Sequence, residues 1–386
     1  MVRSRRKNNL FQWLLQPFLP KRGLEHQPDY VLLITIGLLI FFGLLFLSSA
    51  SSTLAFYKYQ DTYRFVKQQI LHGLLPGILF FYIAFRINYK HYKKFTWFFL
   101  IASFILLSLV FFGALGSDYG TAQSWIVVGG RSFQTSELVK LAFVLFLAGW
   151  LSEKGKDIIK VSSAVTFTII LLIISFFIIK QPDIGTLSII LLTSVSMYFV
   201  AGAKWTHFTA LVGGGAIAFL AMIKAAPYRM NRFVAWLNPD FDPQGIGWQI
   251  KQSLIAIGSG GWLGLGLGSS RQKSYLPMPA NDSIFAVVAE EIGFIFTIIF
   301  LALFAILMLR GFRIIRHSED NFAKLIALGI TIWISLQIFI NIAGMLQLLP
   351  LTGVPLPFIS LGGSNLMVTL LSMGILANIS RFTTRH

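Results

Sequence analysis

Runs of about 18 to 25 mainly apolar residues, each long enough to cross a bilayer as a helix, recur about ten times in this chain. They fall near residues 30–49, 68–85, 95–115, 137–151, 162–179, 184–201, 206–223, 283–309, 323–348 and 357–379. In lipid every backbone polar group must find its partner within the protein, so runs of this length dictate helices. The predicted fold class is an all-α integral membrane protein of about ten transmembrane helices. One long loop, 225–282, joins the seventh to the eighth. Only Lys180-Gln181-Pro182-Asp183 separates the fifth run from the sixth, which predicts a tight helical hairpin.

Composition narrows this reading. Of 386 residues, 55% are hydrophobic and 12% charged, and the mean hydropathy is +0.72, more than the surface of a water-soluble globule carries. With no cysteine, disulfides and thiolate chemistry are excluded, and the six scattered histidines offer no zinc-ligand pair. The net charge of +17 does not signal nucleic acid, because the basic residues fall between the apolar runs instead of gathering on one face. It reports topology, since moving a cationic loop across against the membrane potential is disfavoured. Lys and Arg concentrate before residue 30 and in 86–94, 154–160, 204, 310–324 and 381–385, whereas the alternate short connections hold few. That asymmetry predicts cytoplasmic termini and an extracytoplasmic 225–282 loop. The expected organisation is a basic cytoplasmic tail without a cleavage site, 1–29, one membrane domain, 30–381, and a cytoplasmic C-terminal tail, 382–386.

The 225–282 stretch is the long polar interruption, rich in Gly, Arg, Lys and Asp, and ordered loops of this length tend to carry function. At its end, Asp282 stands where the loop meets the eighth span, a position that suits a helix cap and equally a general base at the mouth of an apolar bundle. Glu137 and Lys140 share one face at the outer end of the fourth span, as a structural ion pair or as the wall of a polar pocket. Asp183 follows a proline at the start of the sixth span, which local helix-start chemistry alone can explain. Arg229, Arg232, Lys251, Arg271 and Lys273 place cations on the outer side, facing solvent, lipid headgroups or an anionic ligand. Glu290 and Glu291 lie about two turns into the eighth span and need protein or water around them, either a cation or a cavity. No Walker loop, HExxH or dinucleotide signature is present, and Gly-x-Gly-x-Gly at 264–268 lacks the context that nucleotide binding requires.

Several motifs then add up. They are Ala122-Gln123-Ser124-Trp125-Ile126, Phe133-Gln134-Thr135-Ser136-Glu137-Leu138-Val139-Lys140 and Gln181-Pro182-Asp183-Ile184-Gly185-Thr186, followed by the loop landmarks Asn238-Pro239, Gln252-Ser253 and 264–273. The last is Pro355-Leu356-Pro357-Phe358-Ile359-Ser360-Leu361-Gly362-Gly363-Ser364. In this order and spacing they resemble the SEDS family (shape, elongation, division and sporulation), the FtsW/RodA/SpoVE-like peptidoglycan glycosyltransferases of bacteria, and more closely its FtsW/SpoVE branch. The resemblance covers nearly the whole chain after the N-terminal tail. It implies an inverting enzyme in the bacterial cytoplasmic membrane that polymerises lipid II into β-1,4 glycan at the outer face, during cell division or shape maintenance. Asp282 matches the family's catalytic aspartate. Trp125, Gln134, Glu137, Lys140, Asp183, Arg229, Arg232, Lys251, Gln252, Arg271, Lys273 and Glu290 form the implied substrate-binding set, with the cations set against a diphosphate leaving group. No cofactor is firmly implied; a divalent cation such as Mg2+ is the one candidate. The implied partners are lipid II, nascent glycan, membrane lipids and a class B penicillin-binding protein. The sequence departs from the family's common His-Thr-Asp-Phe-Ile-Phe, reading Ala280-Asn281-Asp282-Ser283-Ile284-Phe285, so a histidine that could tune the aspartate is missing. A lipid II flippase is the rival reading, since charged residues among ten spans also fit a carrier; the aspartate's place at one face instead of the midplane favours the enzyme.

Overall fold

The computed structural model describes residues 26–111, 116–119, 122–128, 131–224 and 227–384. In chain order the helices are α1 (Tyr30–Tyr59), α2 (Arg64–Arg86), the one-turn α3 (Lys90–Lys93), α4 (Thr96–Leu109), α5 (Thr135–Lys154), α6 (Val161–Lys180) and α7 (Ile184–Val200). They continue as α8 (Trp205–Lys224), α9 (Pro227–Leu237), α10 (Ile246–Ser259), α11 (Ile284–His317), α12 (Asn321–Met345) and α13 (Gly363–Ile379). Among the described residues, eight helices are long and apolar enough to cross a membrane, and α4 and α7 are shorter apolar helices. Together these match the runs read from the sequence, and the chain is an all-α multi-pass membrane protein. Lys180 to Asp183 forms the predicted tight turn between α6 and α7.

The differences lie at ends and in connections. Helix α1 runs on to Tyr59 because no breaker intervenes before Gln60, which closes it in the left-handed conformation at φ 55°. The last helix begins only at Gly363, because Pro355, Pro357 and the small residues after them cannot continue a helix; 346–362 is instead an irregular segment at the Asp282 end of the bundle. The 225–282 connection holds two helices, α9 and α10, and is a folded cap on the bundle. Between α4 and α5 lies a small antiparallel sheet, β1 (Gly116–Tyr119), β2 (Ala122–Val128) and β3 (Arg131–Gln134), which no apolar run announces.

Burial ranks the helices. The apolar windows of α5 and of the α13 region are 83% buried and that of α12 is 72%, whereas that of α8 is 6% buried, so the first three form the centre and α8 a lipid-facing flank. Helix α13 lies along α2, where Gly77 and Gly374 leave room for Leu370 and for the Phe81 backbone. Helix α11 is broken at Gly293, whose φ of 73° and ψ of 178° no helical residue adopts. The groups freed by the break are satisfied by the glycine-rich segment beside it. Phe294 and Ile295 donate to Gly261 and Trp262 carbonyls at 2.8 and 3.2 Å, while Leu265 and Gly266 donate to Glu290 and Glu291 carbonyls, both at 3.0 Å.

Candidate active site at the mouth of the bundle

Asp282 ends the folded cap, one residue before Ser283, the N-cap position of α11, which makes no side-chain capping bond. Its carboxylate therefore faces the cap of the bundle: Gln249 of α10 donates from Nε2 to Asp282 Oδ2 at 3.2 Å and to Ser283 Oγ at 2.9 Å. Both amide hydrogens are thus directed at this corner, and Ser283 fixes the amide's orientation. The backbone around Asp282 is pinned as well. Asn341 donates to its carbonyl at 2.9 Å, Ser360 Oγ to Asn281 O at 2.6 Å, and Leu361 N to Ala280 O at 2.8 Å. Burial pushes the Asp282 carboxyl above the usual carboxylate range; the Gln249 hydrogen bond and the positive charge of Arg232 pull it part of the way back. A carboxylate raised in this way, and steadied by a neutral amide, binds a proton more readily than an ordinary aspartate, which suits a general base.

Beneath this corner lies a second polar centre. Lys140 Nζ is 2.9 Å from Glu137 Oε1, with both side chains 2% exposed. Gln337 Oε1 accepts from Lys140 at 3.0 Å and from Trp333 Nε1 at 2.9 Å, and the ammonium stands 5.0 Å from the Trp333 ring centroid. Glu137 Oε2 accepts from Asn365 at 2.9 Å. Trp333, Gln337 and Asn341 recur every four residues on one face of α12, so this ladder joins the ion pair to Asp282. Gln337 and Asn341 also hold the irregular segment through Pro355 O and Val354 O, at 3.0 and 2.8 Å. Gln69 of α2 grips it from the other side through Ser360 O at 3.2 Å and Gly362 N at 2.9 Å. Sequence reading missed Gln69, Gln337 and Asn341 as members of the site, although amides spaced four apart in an apolar span are a visible signal.

The other predicted residues divide by location. Asp183 caps α7, accepting from Thr186 N at 3.0 Å, and the next turn approaches the irregular segment, since a Cβ on Gly185 would come within 3.3 Å of Thr352. Arg232 donates to Leu351 O at 3.3 Å, and Arg229 to Met222 O at 3.2 Å and Ile179 O at 3.4 Å. Asp183, Arg229, Arg232 and Asp282 thus gather at one end of the bundle. Trp125 and Gln134 face each other across β2 and β3, and Gln134 N donates to Ser364 Oγ at 3.2 Å, next to the Asn365 that holds Glu137. Gln252 lies on the buried face of α10. Lys251 is on the exposed side, ion-paired with Asp240.

Glu290, Arg271 and Lys273 belong to a separate corner, on the glycine-rich segment. Glu290, fully buried, is ion-paired with no cation among the described residues: its oxygens accept Ser270 Oγ at 2.5 Å, Arg271 N at 3.1 Å and Gln272 N at 3.3 Å. Lys273 Nζ donates to Gly268 O at 2.8 Å, and Glu291 accepts from Ser49 of α1 at 2.5 Å. This corner anchors the segment to α11. Among the described residues, no three His, Asp or Glu side chains converge to hold a metal ion.

Residues 29–385 match the cell cycle protein family of FtsW, RodA and SpoVE. The chain is 41% identical over 358 residues to stage V sporulation protein E of Bacillus subtilis, across 92% of this chain and 98% of that one. It is 36% identical over 358 residues to a probable peptidoglycan glycosyltransferase FtsW of Trichlorobacter lovleyi, across 91% and 93%. Among solved structures it resembles a chain from a study of the coordination of polymerization and crosslinking by a peptidoglycan synthase complex, with TM-score 0.76, 25% identity and coverage of 92% and 98%. It shares the fold of the rod shape determining protein RodA of Thermus thermophilus, with TM-score 0.67, 24% identity and coverage of 93% and 98%. The motifs, the helical architecture and these likenesses converge, and the chain belongs to the FtsW/RodA/SpoVE family, on its FtsW/SpoVE side.

Proposed function

We propose that the chain is a peptidoglycan glycosyltransferase that polymerises lipid II into β-1,4 glycan, with Asp282 as the general base. The family supports the activity. The observation that carries the assignment of the base is the Asp282 corner: a carboxylate pushed up by burial, held by Gln249 and fixed through its own backbone at the mouth of the bundle. As the acceptor's 4-oxygen bonds to the donor's anomeric carbon, its proton passes to the Asp282 carboxylate. The bond from that carbon to the diphosphate oxygen breaks, the configuration inverts, and the undecaprenyl diphosphate leaves with its negative charge. Arg229 and Arg232, at the same end as Asp282, are the cations placed to receive that charge. Glu137 and Lys140 neutralise each other and hold the wall beneath. A divalent cation such as Mg2+ would have to arrive with the diphosphate, since the described residues offer it no cluster of ligands.

The orientation that suits this reaction has both termini in the cytoplasm and α9 and α10 outside, where lipid-linked donors are presented. The partner is a class B penicillin-binding protein that cross-links the product, by analogy with the synthase complex that the fold resembles. The experiment is reconstitution of the purified chain with lipid II. Glycan polymer is expected from the parent and none from Asp282→Asn. Polymer from the variant within a few-fold of the parent would overturn the assignment of the base, and transbilayer movement of lipid II without polymer would overturn the enzyme.

A further inference from the structure

The Gly-x-Gly-x-Gly run at 264–268, which the reaction does not use, lies at a definite height in the bundle. Helices α1 and α11 run in opposite directions and are tied together at two levels. At the terminal end, where Asp29 N donates to Ser380 Oγ at 3.1 Å, Arg310 Nε donates to Asp29 Oδ2 at 2.7 Å. Toward the other end, Ser49 Oγ donates to Glu291 Oε1 at 2.5 Å. Ser49 lies 20 residues after Asp29, and Glu291 lies 19 before Arg310. At 1.5 Å per residue the two ties stand about 30 Å apart on either helix, the thickness of a bilayer's hydrocarbon core. No charged residue occurs in 30–48 or in 292–309. Ser49 and Glu291 therefore mark the hydrocarbon boundary remote from the termini, and the first turns of α11 stand beyond it by up to about 10 Å.

The chain after α10 is held at this boundary. Helix α10 descends along α11, from Gln249 beside Ser283 to Ser259, whose Oγ donates to Glu290 Oε1 at 3.3 Å. The backbone then turns back on four left-handed glycines, Gly261, Gly264, Gly266 and Gly268, with φ of 53°, 81°, 97° and 81°. It returns along α10 to Tyr275, whose carbonyl accepts from Trp248 Nε1 at 3.1 Å. At the bottom of this hairpin the backbone bonds to both sides of the break in α11, and Gly268 N donates to Ser49 Oγ at 3.1 Å. The polar backbone is thus spent on α1 and α11, while the side chains between the glycines are left outside: Trp262, Leu263 and Leu267 are 70%, 69% and 57% exposed. Trp262 meets Phe294 edge to face, with ring centroids 5.4 Å apart. Phe294, Ile298 and Ile299, each at least half exposed, carry the apolar strip on along α11.

We propose that the glycine-rich turn 260–268 is an interfacial anchor, seated in the leaflet remote from the termini with Trp262, Leu263 and Leu267 against the upper acyl chains. Three observations select lipid as the occupant. The turn stands at the hydrocarbon boundary set by the two ties. Through Trp262 and Phe294 its apolar patch joins the face of α11 that the hydrocarbon covers. It also presents a tryptophan, the side chain enriched where apolar and wet surroundings meet. The leaflet then holds α10, and with it Gln249, at a fixed height beside Asp282. The proposal is independent of the reaction assigned to Asp282.

The chain has no cysteine, so a single introduced one takes a nitroxide label at a chosen site. The full chain is placed in nanodiscs of dioleoyl phosphatidylcholine with dioleoyl phosphatidylglycerol. Collisions of the label with oxygen, which concentrates in hydrocarbon, are compared with collisions with a water-soluble nickel chelate. Ile299→Cys is the hydrocarbon standard, and Gln244→Cys, exposed on the cap, is the aqueous one. At Leu263→Cys and at Leu267→Cys the oxygen-to-nickel ratio is expected to be several-fold above that of Gln244→Cys and to approach that of Ile299→Cys. Both leucines are exposed, so each labelled protein should melt as the parent does. A ratio at both positions equal to that of Gln244→Cys would make the turn a solvated loop and overturn the proposal. Labels shielded from both reagents would mean that a second copy of the chain covers the patch, and would overturn it equally.

Discussion

Two carboxylates, Glu137 and Asp282, are tied into one network, yet they are held in opposite ways. Glu137 is deep in the bundle and fully compensated: Lys140 and Asn365 take its two oxygens. Asp282 is at the mouth, partnered by a neutral amide, and burial raises its affinity for a proton. A buried charge that is neutralised holds structure together, and one that is left under-compensated holds reactivity. The contrast can be broken by mutation, and the effects should fall in a definite order.

The largest concerns Asp282→Asn. Removing a general base costs about 10²- to 10⁴-fold in rate. The stability change should have the opposite sign. A carboxyl whose folded-state pKa lies above its unfolded value is harder to ionise in the folded protein, so folding is most favoured below the unfolded pKa and less favoured once pH exceeds the folded one. Asparagine removes that cost, and the variant's melting temperature at neutral pH should equal or exceed the parent's while polymerisation disappears. In the parent, activity should fall on acidification at a pH above that of an ordinary aspartate, because the base must be ionised to act.

Next comes the ion pair. Lys140→Met leaves the Glu137 charge buried without its counter-ion, a change that typically costs about 3–5 kcal/mol. Adding Glu137→Gln should restore much of the folded yield in detergent, measured by size-exclusion profile and thermal melt. A single variant as stable as the double would erase the distinction between the two carboxylates.

Gln249→Leu sharpens the comparison further. It deletes one hydrogen bond to a charged group, typically about 1.5–3 kcal/mol, so a rate loss of about 10- to 100-fold is expected. The acidic limb of the pH–rate profile should also move to higher pH, since the lost bond favours the ionised carboxylate. A purely structural role would lower the rate without moving the limb. The smallest effect belongs to Lys251→Ala. Its ion pair with Asp240 is exposed on both sides, at 41% and 77%, and the expected change is within about 0.5 kcal/mol by thermal melt.

The sequence is legible where local patterns decide. Apolar run length marked each of the long helices, and the spacing of Glu137 and Lys140 anticipated that they would meet, because helical periodicity is a local rule. Gln249 was visible only as one polar residue in a cap. Its pairing with Asp282 spans 33 residues, and no short-range rule fixes how α10 folds back. Glu290 was expected to face a cation or a cavity, and its real partners include the backbone amides of Arg271 and Gln272, which carry no residue identity to read. The β1–β3 sheet escaped for a related reason: its strands are too short to stand out among 386 residues dominated by longer apolar runs.

The break at Gly293 has a mechanical meaning. A straight α11 would behave as a single lever from Ile284 to His317, so any tilt imposed by the thickness of the bilayer would swing the end beside Asp282. With the ladder interrupted and its loose groups taken over by 261–266, the residues on both sides of the break, Glu290 and Glu291 before it and Phe294 and Ile295 after it, are fastened to the cap. The break works as a pinned corner, which sets the direction in which 284–292 leave the cap beside Asp282.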